Sequence, residues 1–167
     1  MTTAVTTRTD DDKRFMRRAL ALAEIGRTVP GASPIGCVIV LHGAVVGEGH
    51  NEVGIRHDPS AHAEIVAIRR ACESLGRDDL RGATLYSTLQ PCGMASIWTS
   101  IERIVYGARR KDVHGMYFED RHLDVLDIID DAFRTDMSVT AGVLEGECAA
   151  FYYRPDDDPP LEEQANR

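Results

Sequence analysis

Asp58-Pro59-Ser60-Ala61-His62-Ala63-Glu64 and, downstream, Thr84-Leu85-Tyr86-Ser87-Thr88-Leu89-Gln90-Pro91-Cys92-Gly93-Met94 are the stretches on which the reading turns. From His62 to Leu75 the residues Ile65, Ile68, Ala71, Cys72 and Leu75 fall on one helical face, and Gly76 follows as a stop. Ala83 to Leu89 alternates like a strand, and Pro91 breaks it. His62 and Glu64 thus open a helix, and Cys92 lies just beyond a strand end.

Working outward, Asp11 to Ile25 carries Phe15, Ala19, Leu22 and Ile25 at helical spacing, closed by Gly26 and Pro30. Ile35 to Leu41 is a continuous apolar run, and His42-Gly43 would turn it into a returning strand from Ala44 to Glu48. Asn51 to Ser60 reads as a loop. A short helix is expected over Met94 to Ile101, a strand over Arg103 to Gly107, and a helix over Leu123 to Phe133. A last strand over Ser138 to Leu144 and a last helix over Glu145 to Tyr153 complete the chain. The order α-ββ-α-β-α-β-α-β-α predicts an α/β fold: one mixed five-stranded sheet covered on both faces, a three-layer α/β/α sandwich with right-handed crossovers.

The expected organisation is a loose N-terminus over 1–10, one domain over 11–155, and an acidic solvated tail over 156–167. The 167 residues suffice for one core, and 43% hydrophobic with 28% charged residues is an ordinary globular balance. Net charge is −8, which argues against a general affinity for phosphate backbones or anionic membrane. The longest uncharged run, Gly82 to Ile101, contains Pro91, Gln90 and several hydroxyls, so no membrane span is expected. Met1 to Asp10 has no apolar core of a secretory signal, and the four cysteines are widely spaced, so a reduced cytoplasmic setting is expected.

The chemistry lies in His62-x-Glu64 and Pro91-Cys92. His-x-Glu followed by Pro-Cys-x-x-Cys is the signature of the zinc deaminases. There an imidazole and two thiolates hold Zn²⁺ and leave a fourth position for water, while the Glu moves protons without binding metal. The sequence resembles the cytidine-deaminase-like superfamily from about Phe15 to Tyr153. Within it, the resemblance is to the branch of guanine deaminases, fungal cytosine deaminase and tRNA adenosine deaminases. Asp58 to Glu64 is similar to that branch's D-P-[TS]-A-H-A-E, and Thr84 to Cys92 to its T-L-Y-x-T-L-x-P-C. Glu147-Cys148-Ala149-Ala150 resembles part of the last helix in tRNA adenosine deaminases. The resemblance implies that fold, Zn²⁺ as cofactor, His62 and Cys92 as metal ligands, and Glu64 as catalytic proton shuttle.

One departure stands out. The second cysteine of Pro-Cys-x-x-Cys belongs at position 95, which is Ala95. The stretch from Cys92 to Tyr106-Gly107-Ala108 is also about three residues shorter than the family usually has, most of one turn at ~3.6 residues per turn. Only two of three protein ligands are identifiable, and Ser96 is a weak substitute.

For substrate binding, the resemblance implies Asn51 as a base-binding side chain and the Ala63 N–H as a donor to a base carbonyl. It also implies Asp120, in Phe118-Glu119-Asp120, as a purine contact; Phe118 has a ring suited to stacking. The bland readings are a turn former for Asn51, an acidic loop for Asp120 and a core filler for Phe118. Trp98 is expected in the core or an interface. Arg109-Arg110-Lys111 is the one compact basic run, read first as a solvated turn and second as an RNA contact. The function expected first is zinc-dependent hydrolytic deamination of a free nucleobase or related small heterocycle such as guanine or cytosine. Such an enzyme would be a homodimer acting on a small molecule, with no membrane partner expected and nucleic acid disfavoured by the charge, and the missing cysteine would impair it. Two alternatives stand beside it: a tRNA adenosine deaminase, and a metal-poor pseudoenzyme or binding subunit.

Overall fold

The computed structural model describes residues 4–30, 32–118 and 123–160. The first element is a two-residue strand, β1 (Ala4–Val5), followed by α1 (Asp10–Thr28). Thr9 caps α1 in a reciprocal box with Asp12, which moves the helix start one residue ahead of the expected one. β2 (Gly36–Leu41) and β3 (Ala44–His50) form the expected hairpin. His42 and Gly43 both take positive φ, 51° and 79°, as a two-residue turn between twisted strands requires.

A single short turn, α2 (Val53–Arg56), interrupts the expected loop, and α3 (Ala63–Leu75) follows. Gly76 ends α3 at φ 63°, with its N–H on Glu73 O and the Arg77 N–H on Cys72 O. β4 (Ala83–Leu89), α4 (Met94–Trp98) and β5 (Arg103–Ala108) make one parallel crossover. Then come α5 (Val125–Asp131), β6 (Ser138–Ala141) and α6 (Glu145–Ala149). The last strand and helix are shorter than expected because Gly142 and Leu144 both adopt left-handed backbone and turn the chain between them.

The strand order is β1-β6-β5-β4-β2-β3, with β2 antiparallel to both neighbours and β4, β5 and β6 parallel. The mixed sheet is therefore the expected five strands, with β1 added at the edge beside β6, inside the stretch read as a loose start. Ala4 and Val5 reach it because the β6 edge is open and parallel pairing satisfies their backbone groups.

The side chains of β2, β4 and β5 alternate between two cores. Cys37, Ile39, Leu85 and Ile104 meet Ala67, Ile68 and Ala71 of α3 and Ile129 of α5. Val38, Val40, Tyr86 and Val105 meet Phe15, Met16, Ala19 and Leu20 of α1 and Cys148 of α6. This is the three-layer sandwich. β4 is buried on both faces, unlike the half-exposed strand that its alternation suggests, because it sits between β2 and β5 with helices above and below.

α3 lies unusually close to the sheet. A Cβ on Gly47 would stand 2.3 Å from Ala67 O, and one on Gly49 would stand 2.6 Å from Val66 Cγ1. These two glycines of β3 let the α3 backbone settle onto the strand, which fixes the height of its N-terminus over the end of β4.

Candidate active site

A pocket of about 80 Å³ opens where the carboxyl end of β4 meets the start of α3. That is the usual ligand crevice of an open α/β sheet. His62, Glu64, Cys92, Ala95, Ser96 and Phe118 are among its lining residues, with Ile35, Gln90 and Tyr117 around them. Three short chain segments far apart in sequence thus deliver the expected chemistry to one place.

His62 is the residue just before α3, with extended backbone, and its side chain makes no cap hydrogen bond. The ring lines the pocket instead of serving the helix end. Glu64 sits in the first turn of α3, where the helix dipole favours a carboxylate. Its Oε1 accepts a hydrogen bond from Ser87 Oγ at 3.2 Å. Ser87 is fully buried on β4. Burial pushes the Cys37 thiol well up, and the Glu64 charge adds to the shift, so the floor below the carboxylate is an uncharged thiol. Thr88 Oγ1 and Tyr152 Oη hydrogen-bond at 2.8 Å, and Thr88 Oγ1 also accepts from Gly36 N at 3.1 Å. This ties the C-terminal segment to the strand that carries the site.

Cys92 is exposed and lines the pocket. Gln90 anchors the loop before it. Its N–H donates to Ala108 O at 3.0 Å, and its side-chain oxygen accepts from Arg110 N at 3.1 Å. Ala95 also lines the pocket, 6% exposed. Ser96, the weak substitute ligand, is buried beside it. Trp98, expected in the core or an interface, is 71% exposed on the far side of the short α4.

Asn51 is buried but lies outside the lining set. Its N–H donates to Ile35 O at 3.0 Å, and its Oδ1 accepts from Val53 N at 3.3 Å, the turn-forming geometry. It therefore borders the pocket through Ile35. Ala63 is fully buried against the sheet. Phe118 is in the lining, with the Arg110 guanidinium 5.4 Å from its ring centroid. Asp120 lies outside the described residues.

Sequence reasoning passed over Ser87 and Gln90 as functional groups. Ser87 was legible in principle: two residues after core-facing Leu85 on a strand, it had to point at α3 and its first-turn carboxylate. Gln90 carries no such signal, because its role depends on where the chain goes after β5.

The description "Cytidine and deoxycytidylate deaminase zinc-binding region" matches residues 9–108. The chain belongs to the cytidine and deoxycytidylate deaminase family. Within the family, a tRNA-specific adenosine deaminase of Buchnera aphidicola is 39% identical over 143 residues, 84% of this chain and 85% of the relative. A guanine deaminase of Bacillus subtilis is 39% identical over 109 residues, 64% of this chain and 70% of that one. A solved structure from work on A-to-I editing by tRNA:A34 deaminases superimposes with a TM-score of 0.68 at 33% identity. It covers 83% of this chain and 98% of that one.

Family membership implies Zn²⁺, and a catalytic zinc site takes three protein ligands plus one open position. The described donors in this deaminase pocket do not meet that requirement. His62 and Cys92 are present, the third motif position carries the methyl of Ala95, and Glu64 Oε1 is engaged by Ser87. Among the described residues no group of three His, Cys, Asp or Glu side chains is placed to hold a metal. Among the described residues the pocket supplies one carboxylate, Glu64, which accepts from the buried Ser87 hydroxyl.

Proposed function

We propose that this deaminase-family pocket takes an adenosine presented by a folded RNA, as in the tRNA adenosine deaminases, and not the free nucleobase expected first from the sequence. The carrying observation is the placement of Arg110 at the pocket rim, between Arg109, whose guanidinium stands 3.8 Å from Glu145 of α6, and the exposed Lys111. The Arg110 N–H reaches Gln90 and its guanidinium covers Phe118, both lining residues, while Lys111, next in the chain, is exposed. In this reading the base enters the pocket of about 80 Å³ and the rest of the RNA lies outside it, over that rim. A cationic rim next to a base-sized cleft suits a looped-out nucleotide and its phosphates. The net charge of −8 disfavours RNA elsewhere on the surface, so the basic run carries the recognition.

The likeness to tRNA-specific adenosine deaminases supports this reading, since it extends over more of the chain than the likeness to guanine deaminase. Nucleic acid, set aside on charge alone, returns as the partner. Glu64 is the group that moves protons and Phe118 the described lining residue that meets the base, while Asn51, the Ala63 N–H and Asp120 are base contacts on the family resemblance alone. His62 and Cys92 are its metal-facing donors. Deamination by the chain as it stands is expected to be far weaker than binding, because the donor set is incomplete. A homodimer belongs to the same reading, supported by the apolar surface that α4 exposes at Met94 and Trp98, 38% and 71%.

The test is binding by fluorescence anisotropy at low salt, using tRNA transcripts with an adenosine or a guanosine in the anticodon loop, with free guanine, cytosine and adenine as competitors. Tighter binding of the adenosine transcript, unaffected by the free bases, is expected. Absent RNA binding together with ammonia release from guanine or cytosine would return the reading to a free-base deaminase.

A further inference from the structure

The crossover that carries Cys92 is as short as such a connection gets. Strands β4 and β5 are parallel neighbours, and residues 90–102 are all that joins them. A parallel crossover needs about a dozen residues. Within this one, α4 has only five residues. It enters from Gly93 at φ 83° and leaves through Ser100 at φ 59°, a left-handed conformation costly for a residue with a Cβ. The last carbonyls of the turn are held from outside: Arg134 donates to Ile97 O and Ile101 O at 3.2 Å each. These are the marks of a helix cut to its minimum, and the shortfall falls beside position 95, where the third ligand of the motif belongs.

We infer that this chain has lost its third zinc donor together with most of a helical turn after Met94, and that the pocket has become a two-donor site that does not retain zinc. His62 and Cys92 face the pocket from α3 and from the loop after β4. Ala95 occupies the third place in the lining, buried and without a donor atom. Among the described residues these are two donors, where a catalytic zinc would need three from the protein. Glu64, the carboxylate among the described lining residues, cannot serve both as ligand and as proton carrier.

The inference concerns the same pocket as the RNA reading but stands apart from it, since RNA binding is measured without metal and metal content without RNA. The experiment loads the full purified chain with zinc, desalts it, and reads zinc per chain by elemental mass spectrometry. In parallel, the rate of Cys92 labelling by a maleimide is followed with and without zinc. The expected result is zinc near zero and a Cys92 labelling rate that zinc leaves unchanged. Zinc near one per chain with Cys92 protected would overturn the inference. In the A95C variant, which restores Pro-Cys-x-x-Cys, zinc near one per chain and slowed Cys92 labelling are expected. A second variant, with Cys-Ala-Ala inserted between Met94 and Ala95, restores the turn as well. If both variants melt cooperatively and neither takes up zinc, the assignment of the defect to this turn is wrong.

Discussion

Ser87 and Glu64 join the central strand to the first turn of α3 by a hydrogen bond of 3.2 Å, from a hydroxyl with no solvent exposure to a carboxylate at the pocket edge. The bond sets where the carboxylate stands, because Ser87 cannot move without disturbing a strand paired on both sides. Ser87→Ala removes the donor and leaves the Glu64 oxygen without it. A loss of about 1 kcal/mol in unfolding free energy is expected, within the usual range of ~0.5–1.5 kcal/mol for one such bond. Glu64→Gln keeps an acceptor oxygen for Ser87 and should lie within about 0.5 kcal/mol of the parent. Urea melts of the two variants check this, and a Glu64→Gln loss as large as that of Ser87→Ala would show that the negative charge holds the turn.

Gly47 is expected to be among the least replaceable residues of the sheet. A Cβ there meets Ala67 O at 2.3 Å and Ala71 N at 2.6 Å, both backbone atoms of α3 that cannot swing aside. Gly47→Ala must lift α3 or bend β3. A cost of about 1–3 kcal/mol is expected, the range for overpacking a core. Gly115→Ala, where an added Cβ has no atom within 4 Å, serves as the control and should be near neutral. Thermal melts distinguish them, and equal melting temperatures would mean that α3 is not held at this height.

Stability should fall in acid through one pair on the opposite face. Asp12 is fully buried, and burial alone would raise its pKa. Hydrogen bonds and charge from Arg103, with the Thr9 N–H, overcome this and bring the carboxyl below its ordinary 3.8. A depressed carboxylate stabilises the fold above its unfolded pKa, and the contribution disappears as pH falls through the folded value. The parent should therefore lose stability below about pH 4. Asp12→Asn should cost about 3 kcal/mol at pH 7, because it leaves Arg103 partly buried without its charge partner, and it should flatten the acid limb. Melting temperature against pH for both chains reads this, and identical acid limbs would remove Asp12 from the account.

How far the sequence reaches into this molecule depends on how local each feature is. α3 and β4 were legible because periodicity, a stop glycine and a breaking proline all lie within a few residues of them. The meeting of His62, Glu64, Cys92 and Phe118 was legible only through resemblance to a known family, since nothing in their spacing places β5 beside β4. The short crossover was visible as Ala95 at the motif position. Its structural consequences, the left-handed Ser100 and the Arg134 bonds to Ile97 and Ile101, depend on distant chain and had no local signal. The same holds for the basic run, read as a solvated turn: its relation to Gln90 and Phe118 exists only once β5 has delivered it to the pocket rim.

That rim sets the salt dependence of any RNA complex. Each cation that neutralises a phosphate contributes a slope of about −0.7 in log affinity against log salt for single strands. Arg110→Ala with Lys111→Ala removes the cation that lies against Phe118 and the exposed one that follows it in the chain. It should weaken binding of a tRNA transcript at low salt and flatten the slope by about 1.4. Arg17→Ala, on the exposed side of α1 across the sheet from α3, should change neither affinity nor slope. Anisotropy titrations between about 50 and 200 mM salt, the range in which such contacts are lost, measure both quantities. A double variant with the parent's slope would place the RNA elsewhere on the surface and leave the basic run as the solvated turn that its sequence first suggests.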